Sequence, residues 1–473
     1  MSLKNFIERI DDLVWGPWML ALLLGTGIYL MLRMRFLPLK NLKYALKCAV
    51  SVEAKEGGGK GCGKGKGKVG GGTGGISSFS SLMTELAITI GTGNILGVAT
   101  AMVLGGPGAL FWMVITSFIG LATKLAESTL SVTWRTRNKK GELVGGPMYT
   151  CVRALKGRGG KLLGFWFAIM AVLASLGIGN MTQSNSIADA FWYSFGTPKA
   201  KTGLVITILT ILVVLGGIGV ISKVTKFLVP AMGLLYILGS LAVILANWRN
   251  LPGALAGIVV GAFSPKAVSG GLFGAVTVSA FQSLRWGVAR GIFSNEAGLG
   301  AAGITAAAAD TDDPVRQGYI SMTGVFLDTA VMCSITGLAL AASGVLGLEA
   351  VQEGSLSGTG LILAVFRTAF GPGADVFVST CVALFAFATV VGWAYQGEKA
   401  FEFLLGGSTK YNLWYRFVYA LMGFLGCVCS LEAVWTFSDI CNGLMAVPNL
   451  ICVLVLSGKV CRMVKEHEKG MRI

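Results

Sequence analysis

A polar, glycine-bracketed tetrapeptide, Gly91-Thr92-Gly93-Asn94, interrupts an apolar stretch that runs from about Phe79 to Leu104. Roughly 20 apolar residues cross the hydrocarbon core of a bilayer as helix, which sets Thr92 near the membrane midplane. Glycine weakens helix, and a break at that depth frees backbone groups that hydrocarbon cannot solvate. Such a break is tolerated where those groups bind something. A small polar solute with its coupling ion is the simplest occupant, so the feature alone predicts a transporter.

The rest of the composition agrees with a membrane setting. The 473-residue chain has mean hydropathy +0.71 and is 54% hydrophobic and 13% charged, against about 25% charged in soluble proteins. The class is a polytopic α-helical membrane protein. The first apolar segment, Trp15 to Met34, contains Pro17 and no small-residue cleavage site, and is read as a retained helix rather than a signal peptide. Ten cysteines are scattered along the chain without metal-ligand spacing, and the single histidine, His467, lies in the polar C-terminal stretch. Histidine chemistry at membrane depth is thereby excluded. With no clustered acidic metal site either, an embedded enzyme is disfavoured, and no cofactor is expected beyond Na+ as coupling ion.

A net charge of +16 invites a nucleic-acid reading, but the distribution opposes it. Ten Lys/Arg fall between Arg33 and Lys68, eight between Arg135 and Lys161, and five between Lys459 and Arg472. Apolar segments lie near 15–34, 79–104, 109–133, 162–188, 203–221, 227–247, 271–306, 319–344, 374–404, 412–430 and 435–457, eleven in all. With the first basic loop cytoplasmic, the alternation puts 28 Lys/Arg inside and seven outside. The expected arrangement is a multi-pass protein of the cell membrane, N-terminus outside and C-terminus cytoplasmic, with the bilayer as partner and no nucleic acid. The Gly/Lys run from Gly57 to Gly75 reads as a linker beside anionic headgroups. Its Gly58, Gly63 and Lys64 have P-loop spacing, but Gly65 follows where Ser or Thr is required and no strand precedes.

Setting the first segment aside leaves ten, divisible as five plus five. The first of each five is glycine-interrupted: at Gly91–Asn94 in one half, and in 271–306 by Gly287, Gly291, Gly298 and Gly300 among Arg285, Arg290, Asn295 and Glu296 in the other. Paired interrupted helices in corresponding positions point to an inverted-repeat transporter. The implied organisation is one transmembrane domain over 1–473: an extra helix at 15–34, a basic loop at 35–78, repeats at 79–247 and 271–457, and a tail at 458–473.

In the first broken helix, the half ending near Ile90 presents unpaired carbonyls and a negative dipole end. The carbonyls of Ala87 and Ile90, three residues apart, are placed to coordinate a small cation. The half beginning at Thr92–Asn94 offers free N–H groups suited to a carboxylate. Cation on one side and carboxylate on the other describes sodium plus a zwitterionic amino acid. Among intramembrane charges, Lys124 and Glu127 are expected to pair. Arg285, Arg290 and Glu296 read as scaffold or gating pairs. Glu85 and Asp328 are left without a sequence partner, and either is a candidate for tuning the cation or taking a proton.

The run from Ile90 to Ala101, followed by Gly105-Gly-Pro-Gly-Ala-Leu-Phe-Trp and its continuation to Gly120, resembles the signature of the sodium:alanine symporter family. Further similar stretches are Ala122–Glu127, Gly145–Tyr149, Gly177–Asn185, Gly287–Gly298 and Gly392–Glu398. Val114 departs from the pattern, where the family usually has a second tryptophan. The resemblance to these alanine or glycine:cation symporters implies an all-α, LeuT-type 5+5 inverted repeat with one extra N-terminal helix, about eleven transmembrane helices in total. It implies sodium-coupled uptake of alanine, glycine or a similar small neutral amino acid, with serine and glutamine also fitting; a proton-coupled or uncoupled amino-acid carrier is the alternative. By the same resemblance, sodium is expected at the carbonyls of Ala87, Ile90 and Ala386 and the hydroxyl of Thr389. Thr92, Gly93 and Asn94 are expected at the substrate carboxylate or the adjoining ion; Gln183, a polar residue inside the apolar segment 162–188, is expected at the headgroup, and Phe281, Gly287 and Trp393 around the small side chain.

Overall fold

A computed structural model describes residues 3–56, 75–264, 267–269, 276–429 and 432–471. The Gly57–Gly75 linker with its Gly58, Gly63 and Lys64 lies outside these residues, apart from its last glycine. Among these residues the structure is helical apart from two short antiparallel hairpins, Thr136–Arg137 with Leu143–Val144 and Ala267–Ser269 with Val276–Val278.

Numbering helices of seven residues or more, the first half runs α1 (Leu3–Val14), α2 (Pro17–Arg33), α3 (Leu42–Glu56), α4 (Ser78–Thr89), α5 (Leu96–Gly105), α6 (Gly108–Thr133), α7 (Gly157–Leu176), α8 (Thr182–Phe195), α9 (Lys199–Val214), α10 (Gly217–Ala246) and α11 (Leu251–Phe263). The second half runs α12 (Ala280–Asn295), α13 (Ala301–Ala307), α14 (Pro314–Val325), α15 (Ser334–Ser343), α16 (Gly358–Phe370), α17 (Ala374–Leu404), α18 (Asn412–Val428), α19 (Glu432–Val455) and α20 (Ser457–Met471). Wide π-helical turns at Gly177–Met181 and Phe326–Cys333 join α7 to α8 and α14 to α15.

Among the described residues, seven stretches are long and apolar enough to cross a membrane, and α4 with α5, bent by 59°, form an eighth. α9, α18 and the interrupted pair α12/α13 are shorter apolar segments that complete the expected eleven. The described part of the stretch read as a loop, and most of the one read as a tail, are helical instead. Within 35–78, α3 packs along α14, and α20 occupies most of 458–473, where Asn41 bridges Tyr319 at 3.0 Å and Glu468 at 2.6 Å. Both are amphipathic helices that bury one face, a pattern that lysine-rich composition conceals.

The two interrupted helices sit together at the centre. α12 packs on α5 and α6, α13 packs on α4 and α6, and α17 runs the length of α4, α7, α8 and α10. At one end of the bundle the two interrupted helices are tied to each other, away from their breaks: Ile76 and Ala309 form a parallel bridge, in which Ile76 N–H donates to Ala308 O at 3.0 Å and Asp310 N–H donates to Ile76 O at 2.7 Å. Arg135 closes the same end by donating to the carbonyls of Ala307, Ala309 and Thr311. Thr305 links three helices there, its carbonyl accepting from the Ser81 hydroxyl at 3.0 Å and its hydroxyl from Gln396 at 3.1 Å.

Candidate functional site

The first break forms where Ile90 turns out of the helix (φ −79°, ψ 82°) and Gly91 is extended (φ −126°, ψ −155°), before a single tight turn at Thr92–Asn94 starts the second half. Side chains take over the bonds the helix loses. Asn94 Oδ1 accepts from Gly91 N–H at 2.9 Å, and the Thr92 hydroxyl donates to Gln183 Oε1 at 2.9 Å. The Asn94 amide nitrogen donates to Asp328 Oδ1 at 2.7 Å and to the Asp328 carbonyl at 3.1 Å. Ser294 and Thr329 donate to the other Asp328 oxygen at 2.9 and 2.6 Å. Asp328, without an evident partner in the sequence, is therefore the hub that joins the first break to α12 and to the π-turn.

Thr389 on α17 approaches from the other side. Its hydroxyl donates to Ala87 O at 3.0 Å and back to Phe385 O at 3.1 Å. Gly91 permits this approach, since a Cβ there would stand 2.5 Å from Thr389 Oγ1. Of the four expected sodium ligands, Ala87 and Thr389 are in direct contact across two helices. Ile90 sits at the helix end, and Ala386 lies one turn before Thr389, its methyl packed with Ile187 and Ile206.

Beside this junction lies a cavity of about 30 Å³ lined by Thr89, Gly91, Gly93, Gln183, Thr389 and Trp393, closed by Ile88, Ile178, Phe293, Ser294, Glu296 and Asn442. Gly93, Gln183 and Trp393 are thus brought together as expected, and Thr92 abuts the cavity through Gln183. Three other expectations change. Asn94 is fully buried behind the wall and its hydrogen bonds go to protein, so its place is that of a clamp on the kink. Gly287 is a helix-crossing residue: a Cβ there would meet Ala109 O at 2.3 Å, and its absence lets α12 and α6 touch. Phe281 sits in the first turn of α12, is 65% exposed, and faces a separate groove with Gly16, Leu20 and Leu24. Its distance from the cavity follows from where α12 begins, which the apolar pattern starting at 271 did not indicate.

Beneath the cavity, Lys124 is wholly buried. Its ammonium lies 3.4 Å from Glu85, 4.0 Å from Glu127 and 3.1 Å from the Asn295 carbonyl to which it donates. The expected Lys124–Glu127 pair exists but is the longer of the two, and Glu85 is the nearer partner. Glu127 chiefly serves the second break, accepting from Gly298 N–H at 3.2 Å and from Asn449 at 2.9 Å. Arg285 pairs with Asp12 at 3.5 Å near the N-terminus of α12, and Arg290 lies over the Trp286 and Phe293 rings. Glu296, grouped in the sequence with these scaffold charges, instead faces the cavity. Asn442 escaped notice, although an asparagine inside the apolar run 435–457 was the signal that could have found it.

Residues 1–472 match the sodium:alanine symporter family. The chain is 46% identical over 464 residues to the sodium/alanine symporter AgcS of Methanococcus maripaludis, covering 97% of this chain and 96% of that one. It is 32% identical to the amino-acid carrier protein AlsT of Bacillus subtilis, covering 98% and 92%. In three dimensions it is similar to MhsT solved with L-phenylalanine, at TM-score 0.60 and 14% identity, over 80% of this chain and 89% of that one. At that identity the likeness establishes the shared fold.

Proposed function

The chain belongs to the sodium:alanine symporter family, and from that premise we propose how its central cavity couples an ion to a solute. The protein is a sodium-coupled carrier of small neutral amino acids rather than an enzyme. Sodium is assigned to the carbonyls of Ala87, Ile90 and Ala386 and the hydroxyl of Thr389. The observation that carries the assignment is the Thr389 hydroxyl seated on the Ala87 carbonyl at 3.0 Å, at the negative end of α4. Rotating that hydroxyl turns its lone pairs toward a cation, and oxygen-only ligation suits a hard ion.

The substrate carboxylate is assigned to the N–H groups of Thr92 and Gly93, at the positive start of the second half-helix. Gln183 now accepts from Thr92 and is the group that would reorganise on binding. Trp393 and Phe293 leave room for a hydrogen or methyl side chain in the small cavity, which favours glycine and alanine as cargo. Sodium binding would order the junction of α4 and α17, favouring substrate beside it, and each ligand would tighten the other by the same factor. The two repeats then rock about the site, with the N-terminus outside and the C-terminus cytoplasmic.

The test is uptake of labelled alanine and glycine into proteoliposomes with sodium or choline outside. Uptake should require sodium, and Thr389→Ala should raise the half-saturating sodium concentration several-fold with less effect on maximal rate. Sodium-independent uptake that follows a pH gradient would overturn the coupling. Unchanged sodium dependence in Thr389→Ala would overturn the ion site.

A further inference from the structure

Glu296 closes α12 at φ +54°, in the left-handed region, where a residue other than glycine costs on the order of 1 kcal/mol. Strain of this kind persists where the surrounding structure holds a side chain in a required place. That side chain is 5% exposed, lines the central cavity, and has one oxygen, Oε2, that accepts no hydrogen bond. Asn442, on α19, lines the same cavity at 2% exposure, and its Oδ1 also lacks a donor. No described Lys, Arg or His lies within 4.0 Å of Glu296. Lys124, the buried cation of this layer, directly contacts Glu85, Glu127 and the Asn295 carbonyl, and it acts on Glu296 only from beyond that distance.

A buried carboxylate oxygen and a buried amide oxygen left open on one cavity wall lack a donor, and the carboxylate has no cation in direct contact among the described residues. Other buried acids also leave oxygens open, at Glu85, Glu127 and Asp439, but none of these lines the cavity; Asp328 accepts from Asn94, Ser294 and Thr329, and Glu127 from Gly298 and Asn449 through its other oxygen. Glu85 has Lys124. We propose that Glu296 Oε2 and Asn442 Oδ1 receive the α-ammonium group of the transported amino acid. This rests on reading the cavity as the substrate pocket, and it supplies the pole opposite to the one at Thr92 and Gly93. A zwitterion is then held by backbone amides at one end and by Glu296 with Asn442 at the other. A second sodium ion carries the same charge, and it is separated from the ammonium by linkage: an ammonium site affects alanine without touching sodium bound alone.

The experiment uses purified protein in lipid nanodiscs. Alanine binding is measured by calorimetry in saturating sodium, and sodium binding without amino acid by intrinsic tryptophan fluorescence. Glu296→Gln should weaken alanine about 10- to 100-fold, leaving the sodium titration without alanine unchanged, and Asn442→Ala should weaken alanine by a smaller factor in the same direction. In the wild type, propionate, which has the carboxylate and methyl of alanine but no ammonium, should compete at least about 100-fold more weakly than alanine. Asn442→Ala and the propionate competition decide the matter if Glu296→Gln does not purify as a single species. Wild-type alanine affinity in the variants, or propionate competing like alanine, overturns the proposal. So does a sodium titration that shifts without alanine, which would give the site to sodium. If the wild type binds no alanine or glycine in sodium, the pocket reading itself falls, and this proposal falls with it.

Discussion

The two interrupted helices solve the same problem by different means. At 90–94 no residue has positive φ, and the break is held by side chains: Asn94 caps Gly91, Gln183 takes Thr92, and Asp328 anchors Asn94. At 296–300 the backbone itself is committed, with Glu296, Gly298 and Gly300 at φ +54°, +96° and +87°. Side chains add to this: Ala297 N–H donates to Asn295 Oδ1 at 3.0 Å, and Glu127 and Asn449 reach Gly298 from two other helices. A break held by side chains can exchange those partners for ligands at modest cost. A break fixed by left-handed residues keeps its shape and presents a charge. Under the assignments proposed above, the first suits the ion and carboxylate that come and go, and the second a fixed pole for the substrate ammonium.

The sharpest way to break this comparison is Asn94→Ala. It removes the cap on Gly91 and leaves the buried Asp328 carboxylate short of a donor, a loss of about 1.5–3 kcal/mol for a hydrogen bond to a charged group. Sodium-driven alanine uptake should fall more than about tenfold by that measure, with a lowered melting temperature. Uptake at the wild-type level would show that side chains do not hold the first break. Gly298→Ala tests the other half. It places a side chain at φ +96° and a Cβ 2.7 Å from Leu23 Cδ2, costing about 1–3 kcal/mol. The expectation is a lower melting temperature, with the remaining folded protein keeping the wild-type half-saturating sodium concentration. Gly91→Ala is smaller and more specific. Its extended backbone accepts alanine, but the new Cβ would press on Thr389 Oγ1 at 2.5 Å. Half-saturating sodium should rise several-fold, and the effect should not add to that of Thr389→Ala, because both act through one hydroxyl. Additive effects would place the action of Gly91 elsewhere.

What could be read from the sequence follows the same division. The first break was legible because glycine and polar residues in an apolar run violate a one-dimensional rule, and Gln183 stood out for the same reason. The second was legible as a segment but not by residue. Glu296 faces the cavity because of a left-handed turn, and no spacing of residue types encodes that handedness for a non-glycine. Phe281 was misplaced because the depth of a side chain depends on where its helix starts. With α12 beginning at Ala280, Phe281 and Phe293 are about 18 Å apart along the axis at 1.5 Å per residue. The nearer partner of Lys124 was hidden because Glu85 comes from another helix, whereas Glu127 lies one turn away on its own.

The smallest expected effect sits where the outer ends of the two interrupted helices are bridged, and it serves as the control on everything above. Asp313 follows the second break and caps α14, its Oδ1 accepting from Val315 N–H and Arg316 N–H at 3.0 Å each, while its other oxygen lies 3.3 Å from His467 on α20. Burial alone would push this carboxyl up, but the hydrogen bond from His467 and the two helix amides outweigh burial and hold it below the ordinary aspartate range. A carboxyl depressed in the folded state contributes stability that is present above its unfolded pKa and is lost as pH falls through the folded one. Asp313→Ala should thus cost about 1 kcal/mol, as for other lost N-caps. In thermal unfolding at a series of pH values, the gap to the wild type should be steady at pH 7 and should narrow only below about pH 4, the ordinary aspartate value. Sodium and alanine half-saturation should be unchanged, because Asp313 touches neither break. A shift in either would mean that the shared end of the two helices communicates with the cavity, and that the breaks differ in partners without being independent.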